Sequence, residues 1–213
     1  MEIIFVLKKE INMKKPVDFN ESQTLVNLAR SYASECMEGA KYQWMAQKAE
    51  QQEMEYLKTV LKMLAKHEMS HAKLFWDYIT KNSNKVLNNI DISAGYPFET
   101  GSLQDDLKYS SDNENELYDH IYPAFAKIAK DEGFEDIAKS FKLVAQVEDY
   151  HSKVLQDLHS KMKNKTLYKS NEAKDWKCSK CGYQQNGKTA FKTCPLCSMP
   201  QGYVELELVS KDN

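Results

Sequence analysis

Two stretches of the chain carry the same four-residue pattern, Glu68-Met69-Ser70-His71 and Glu148-Asp149-Tyr150-His151. Positions i and i+3 of a helix share a face, so each pattern turns a carboxylate and an imidazole in one direction. Two further carboxylates, Glu35 and Glu114, interrupt apolar stripes in the same way. Burying even one unpaired charge costs several kcal/mol, against a total stability of about 5–15 kcal/mol. Four carboxylates gathered away from water therefore need neutralising, and two divalent cations would cancel their charge. Oxygen-rich ligands with one imidazole per metal suit iron or manganese. The alternative is a set of solvated or ion-paired helix glutamates, the ordinary setting of a lone Glu-x-x-His.

A second constellation lies near the C-terminus. Cys178-x-x-Cys181 and Cys194-Pro195-x-Cys197 are separated by twelve residues. Two such knuckles bring four thiolates into a tetrahedron that suits zinc or a single iron. Zinc would make the module structural, whereas iron would let it pass electrons one at a time. Four clustered cysteines read as a metal site in a reducing compartment rather than as a disulfide framework, so a cytoplasmic protein is expected.

The elements that must position these groups are helices. Apolar residues recur at helical spacing in four stripes, each holding one of the carboxylates. The first runs Leu25, Leu28, Tyr32, Glu35, Gly39, Tyr42, Ala46. The second runs Leu57, Val60, Leu61, Leu64, Glu68, His71, Phe75, Ile79. The third runs Leu107, Glu114, Leu117, Tyr118, Ile121, Phe125, Ile128, and the fourth Phe134, Ile137, Phe141, Val144, Glu148, His151, Leu155, Leu158. In an antiparallel pair, residues equidistant from the turn share a layer. The midpoint of Glu114 and Glu148 is residue 131, inside Asp131-Glu132-Gly133, and that of Glu35 and Glu68 falls between Gln51 and Gln52. A turn is therefore expected at 50–54, although no Gly or Pro marks it. The two pairs have nearly equal offsets, so all four carboxylates can meet in one layer. The polar stretch 80–104 is long enough to run back along a helix, which permits an all-α bundle of four helices with one long crossover.

Composition agrees. Gly 7 and Pro 5 in 213 residues are about half of average usage, which favours long helices over a sandwich or barrel. The net charge is −2 and only Arg30 among 29 basic residues is arginine, so neither a basic nucleic-acid footprint nor its forked donors are present. No apolar run approaches the ~20 residues that cross a bilayer. The expected organisation is an extension over 1–19, a helical domain over 20–162, a polar linker over 163–175 and a cysteine module over 176–213. Lys8-Lys9-Glu10 reads as a translated ribosome-binding sequence, making Met13 the expected natural start.

Taken together, the sequence resembles rubrerythrin, a ferritin-like bundle followed by a rubredoxin-like domain. The resemblance rests on Glu35 with Tyr42 seven residues later, Glu68-x-x-His71-Ala72-Lys73, and Glu114 ahead of Tyr122-Pro123-Ala124-Phe125-Ala126. It continues through Asp131-Glu132-Gly133-Phe134-Glu135, Glu148-x-x-His151, Lys174-Asp175-Trp176-Lys177-Cys178 and the cysteine spacing. It implies a di-iron centre in which Glu68 and Glu148 bridge, Glu35 and His71 serve one iron, and Glu114 and His151 the other. It also implies one iron on Cys178, Cys181, Cys194 and Cys197, with zinc as the alternative. The implied activity is reduction of hydrogen peroxide to water in oxidative-stress defence. Electrons would come from a rubredoxin or an NAD(P)H-dependent reductase, and a homodimer would bring one chain's thiolate iron to its partner's di-iron site. Ferroxidase or oxygen-reductase activity, iron storage and a zinc-ribbon binding role are the alternatives. Tyr42 and Tyr122 are expected to hydrogen-bond near the metals or to pack in the core.

Leu117 stands where rubrerythrins usually carry a further carboxylate, which exchanges with the His71-type ligand as one iron moves between redox states. Glu116 and His120 lie on other faces and are not expected to substitute. His71 is therefore expected to hold its iron in both states. Cys36 is expected to be a small buried hydrophobe beside the site, and His67 and His159 to face solvent. Pro123, inside a helical stripe, is expected to disturb its helix.

Overall fold

A computed structural model describes residues 17–209; the expected start at Met13 lies outside the described residues. Five helices follow in order: α1 (Gln23–Gln51), α2 (Glu55–Asn82), α3 (Leu103–Glu116), α4 (Tyr122–Asp131) and α5 (Glu135–Lys163). A π turn over Leu117–Ile121 joins α3 to α4, so the two form one rod and the bundle has four. α1 packs on α2 and the α3–α4 rod on α5. Residues 83–102 make the long crossover of the four-helix bundle that the stripes predict.

The helix ends show why the chain turns where it does. Ser22 caps α1 by accepting the Leu25 N–H at 3.0 Å, and Ser102 with Asp105 forms a reciprocal capping box at α3. The two hairpin turns are built alike. Met54 N–H bonds the Ala49 carbonyl at 2.9 Å and Phe134 N–H bonds the Ala129 carbonyl at 2.8 Å. The preceding residues, Glu53 (φ 57°) and Gly133 (φ 93°), are left-handed, the usual way a helix satisfies its last carbonyls. At Glu53 a side chain tolerates a conformation that costs a non-glycine roughly 1 kcal/mol. The expected turn at 50–54 is therefore real without a breaker. At Pro123 the disturbance takes the form of the π turn: Tyr122 N–H bonds the Leu117 carbonyl five residues back, and the proline follows directly.

The segment expected as a linker over 163–175 is strand from Lys169. β1 (Lys169–Lys177) pairs antiparallel with β2 (Gln184–Thr189). Its polar composition follows from exposure on most of its length, with only Trp176 buried. Trp176 anchors the module through Nε1–H to the Gly187 carbonyl at 2.9 Å. Leu167 and Leu206 reach from outside the helices into the apolar cluster formed by α1, α2, α3 and α5. The cysteine module thus seats on the end of the bundle, with Gly202 against the α1–α2 turn at Glu53. No helix among the described residues is long and apolar enough to cross a membrane.

Candidate metal centres

The bundle core is two apolar clusters with a polar layer between them. One contains Tyr42, Leu61, Leu64, Leu107 and Leu155, the other Leu28, Phe75, Leu117, Tyr122 and Phe141. Between them, Glu35, Glu68, Glu114, Glu148 and His151 are buried and the His71 side chain is 12% exposed. All six predicted groups therefore meet in one layer.

The layer has two halves. His71 Nδ1 lies 3.0 Å from Glu148 Oε1, 3.1 Å from Glu68 Oε2 and 3.4 Å from Glu35 Oε2. His151 Nδ1 lies 2.8 Å from Glu68 Oε1 and 2.9 Å from Glu148 Oε2. Glu68 and Glu148 each offer one oxygen to the His71 half and the other to the His151 half. Glu35 belongs to the first half only and Glu114 to the second. Ligand atoms of Glu35, Glu68, His71 and Glu148 lie within 4.8 Å of one another, as do those of Glu68, Glu114, Glu148 and His151.

The tyrosines do not merely pack. Tyr122 Oη donates to Glu35 Oε1 and Tyr42 Oη donates to Glu114 Oε1. Each terminal carboxylate is thus held by one oxygen and turned inward by the other. Inside the layer, Glu68 Oε1, Glu114 Oε2, both Glu148 carboxylate oxygens and His151 Nδ1 are buried without a hydrogen-bond partner. Buried polar atoms are seldom left so. Lone pairs that converge without bonding one another fit a cation pair, which gives each of them a partner.

Electrostatics without a cation point the same way. Burial, and then the Glu148 charge, pushes the Glu35 carboxyl well above the usual range. Burial and then Glu68 do the same to Glu114. Burial alone would lower His71 and His151, but the carboxylates overcome it: Glu148, Glu35 and Glu68 raise His71, while Glu148 and Glu68 raise His151 to about 9. Burial likewise opposes ionisation of Glu68, yet the His151 and His71 imidazoles beside it bring it down to about 2. In the absence of metal the layer holds protons to limit its own repulsion.

Several surrounding residues escaped the sequence reading. His67 does not simply face solvent: it is half-buried, and its Nδ1 lies 3.1 Å from His151 Nε2. Its spacing four residues before His71, on the same face of α2, was the available signal. Glu38 is buried and ion-paired with Lys41. His159 is also half-buried, with Nδ1 2.9 Å from the Gln104 carbonyl. Cys36 is a half-buried free thiol one turn beyond Tyr32 on α1, not a core residue. Leu117 is buried in the apolar cluster, whereas Glu116 and His120 are exposed and near each other.

The second site is compact. Cys178 Sγ lies 3.7 Å from Cys197 Sγ, and Cys181 Sγ lies 3.6 Å from Cys194 Sγ, with all four ligand atoms within 4.8 Å. The two knuckles repeat. Gly182 N–H bonds the Cys178 carbonyl at 2.8 Å and Ser198 N–H bonds the Cys194 carbonyl at 2.9 Å. Both residues have positive φ.

Comparison with known proteins agrees with this geometry. The rubrerythrin family model matches residues 27–159 and 105–177, and that of the rubrerythrin rubredoxin-like domain matches 176–205. The chain is 34% identical to rubrerythrin-1 of Clostridium acetobutylicum over 185 residues, covering 87% of this chain and 94% of that protein. It is 31% identical to a rubrerythrin of Porphyromonas gingivalis over 200 residues, covering 93% and 96%. In fold it resembles nigerythrin in a partially reduced state, with a TM-score of 0.57 and 22% identity over 97% of this chain and 100% of that one.

Proposed function

Because the chain belongs to the rubrerythrin family, we propose that it is a non-haem di-iron peroxide reductase whose electrons enter through the four-cysteine iron. Rubrerythrins are oxidoreductases of oxidative-stress defence with a di-iron carboxylate centre and a rubredoxin-like four-cysteine site. On this reading Glu68 and Glu148 would each serve both irons, Glu35 and His71 would hold one, and Glu114 and His151 the other. Cys178, Cys181, Cys194 and Cys197 hold the third. When bound as iron(II), the pair supplies the two electrons that take hydrogen peroxide, with two protons, to two waters.

The chain's own residues do the rest. Tyr122 and Tyr42 fix the terminal carboxylates, so they need little reorganisation when charge changes at the metals. Leu117, Phe75 and Phe141 keep one side of the layer dry. His71, the least buried of the six, lies on the side that opens toward solvent. The observation that carries the reading is the split allegiance of Glu68 and Glu148, one oxygen to each half.

A rubredoxin or an NAD(P)H-dependent reductase is the proposed donor, in the cytoplasm. The module's seat favours relay between two copies of the chain. Fourteen residues of α2 separate Met54, beside Gly202, from Glu68, about 20 Å at 1.5 Å per residue. A head-to-tail homodimer would shorten the path from one chain's thiolate iron to its partner's di-iron site.

Metal analysis with peroxide turnover tests the proposal. Glu148→Ala should abolish turnover and leave the thiolate-to-iron colour, whereas Cys181→Ser should remove the colour and block reduction by the donor. A wild-type protein carrying one zinc, no colour and no turnover would replace this reading with a zinc-ribbon binding protein. A second reading, oxygen reduction or ferroxidase activity, is favoured by one observation: buried Leu117 supplies no carboxylate to exchange with His71. His71 then keeps its iron in both states, and an iron displaced between oxidised and reduced crystals would refute that point.

A further inference from the structure

α1 carries one more carboxylate on the face that holds Glu35. Glu38 lies three residues on and is 1% exposed. Its Oε1 accepts from Lys41 Nζ at 3.0 Å and from Asn113 Nδ2 at 3.0 Å. Its Oε2 is buried and has no hydrogen-bond partner. Leaving half of a buried carboxylate unsatisfied is costly, so this oxygen calls for a partner.

Its position says which half of the layer it serves. Asn113, its anchor, directly precedes Glu114. Tyr42, whose hydroxyl donates to Glu114, is four residues beyond it on α1. The two halves also repeat each other in sequence: Glu68-x-x-His71 answers Glu148-x-x-His151, and Glu35-x-x-Glu38 answers Glu114-x-x-Leu117. A carboxylate stands at the fourth position of that second pair only on α1; its counterpart Leu117 is packed among apolar side chains.

We propose that Glu38 is a further metal ligand, offering Oε2 to the cation held by Glu114 and His151 while Lys41 and Asn113 keep Oε1. The inference rests on the metal-centre reading above. Glu38 is not among the atoms already gathered within 4.8 Å, so its entry requires its side chain to swing toward the layer, with the Lys41 and Asn113 side chains following Oε1. A ligating carboxylate whose second oxygen is hydrogen-bonded is the arrangement that outer partners favour. Lys41 balances the added charge. The extra anion favours the oxidised, more highly charged state of the metal pair.

Crystal structures of the full chain loaded with iron, reduced and oxidised, test this together with a cobalt(II) titration. Glu38 Oε2 is expected about 2 Å from the metal beside His151 in at least one state. Glu38→Gln is expected to weaken the second cobalt(II) about tenfold, shift its visible bands, and raise the reduction potential of the iron pair. The proposal is overturned if Glu38 Oε2 stays beyond about 3 Å of the metal in both states. Should Glu38→Gln fail to fold, the wild-type crystals alone decide. A protein that loads two irons with Glu38 aside loses only this inference; one that holds no metal among the carboxylates loses the function reading as well.

Discussion

Replacing Gly202 with alanine should unseat the cysteine module without touching either metal site. A Cβ at this position would lie 1.7 Å from the Glu53 carbonyl oxygen, 2.8 Å from its carbon and 3.0 Å from Met54 Cα. Non-bonded carbons are at ease near 3.5–4.0 Å, so one side must retreat by more than ~1 Å. Both sides are backbone, and no flexible side chain can yield. Overpacking a fitted contact typically costs about 1–3 kcal/mol, and backbone against backbone belongs at the upper end. A loss of about 2–3 kcal/mol lowers the melting temperature of a chain this size by roughly 4–12 °C. The assay is thermal unfolding of the iron-loaded protein, followed at the helices and at the thiolate colour, with limited proteolysis of 164–168. The colour should persist in native Gly202→Ala, because the clash falls on Glu53 and Met54 rather than on a cysteine. The linker should become the preferred cleavage site. Melting within about 1 °C of wild type, with the module in the same seat, would refute the reasoning.

Other consequences follow from the layer itself. His67 is a positioning residue for His151, and His67→Ala should weaken metal binding about 10–100-fold; His67→Gln, which can still bond His151 Nε2, should restore much of it in the same titration. Tyr122→Phe leaves a Glu35 oxygen without its donor, a loss of about 1.5–3 kcal/mol; it should weaken the metal beside His71 more than its neighbour, and Tyr42→Phe should do the converse. Removing the metals should lower stability by an amount that grows from pH 5 to pH 8. Glu35 and Glu114 are raised by burial, and His151 is raised to about 9 by Glu148 and Glu68 against burial. Protons that stabilise the metal-free fold below the ordinary carboxylate and imidazole values are therefore lost as pH rises. Glu68, at about 2, stays ionised throughout and adds no slope. Paired melting curves with and without chelator should diverge across that range; parallel curves would count against a metal-filled layer.

The sequence alone determined the bundle and the identity of its six central groups. Helical spacing is a local property, and a charged residue in an apolar stripe is visible without coordinates. The offsets from Asp131-Glu132-Gly133 and from Gln51–Gln52 then placed four carboxylates in one layer by counting. The turn at Glu53 was legible only from those offsets, since its left-handed residue is a glutamate and the composition carries no mark. Tertiary structure alone decided what surrounds the layer. His67 touches His151 because α2 and α5 cross there, and Glu38 meets Asn113 because α1 and α3 do. The strand hidden in the polar stretch from Lys169 exists because β2 pairs with it, and Gly202 matters because Glu53 lies opposite. Each is a contact between residues far apart in the chain, and periodicity records which face a side chain occupies, not which neighbour it meets.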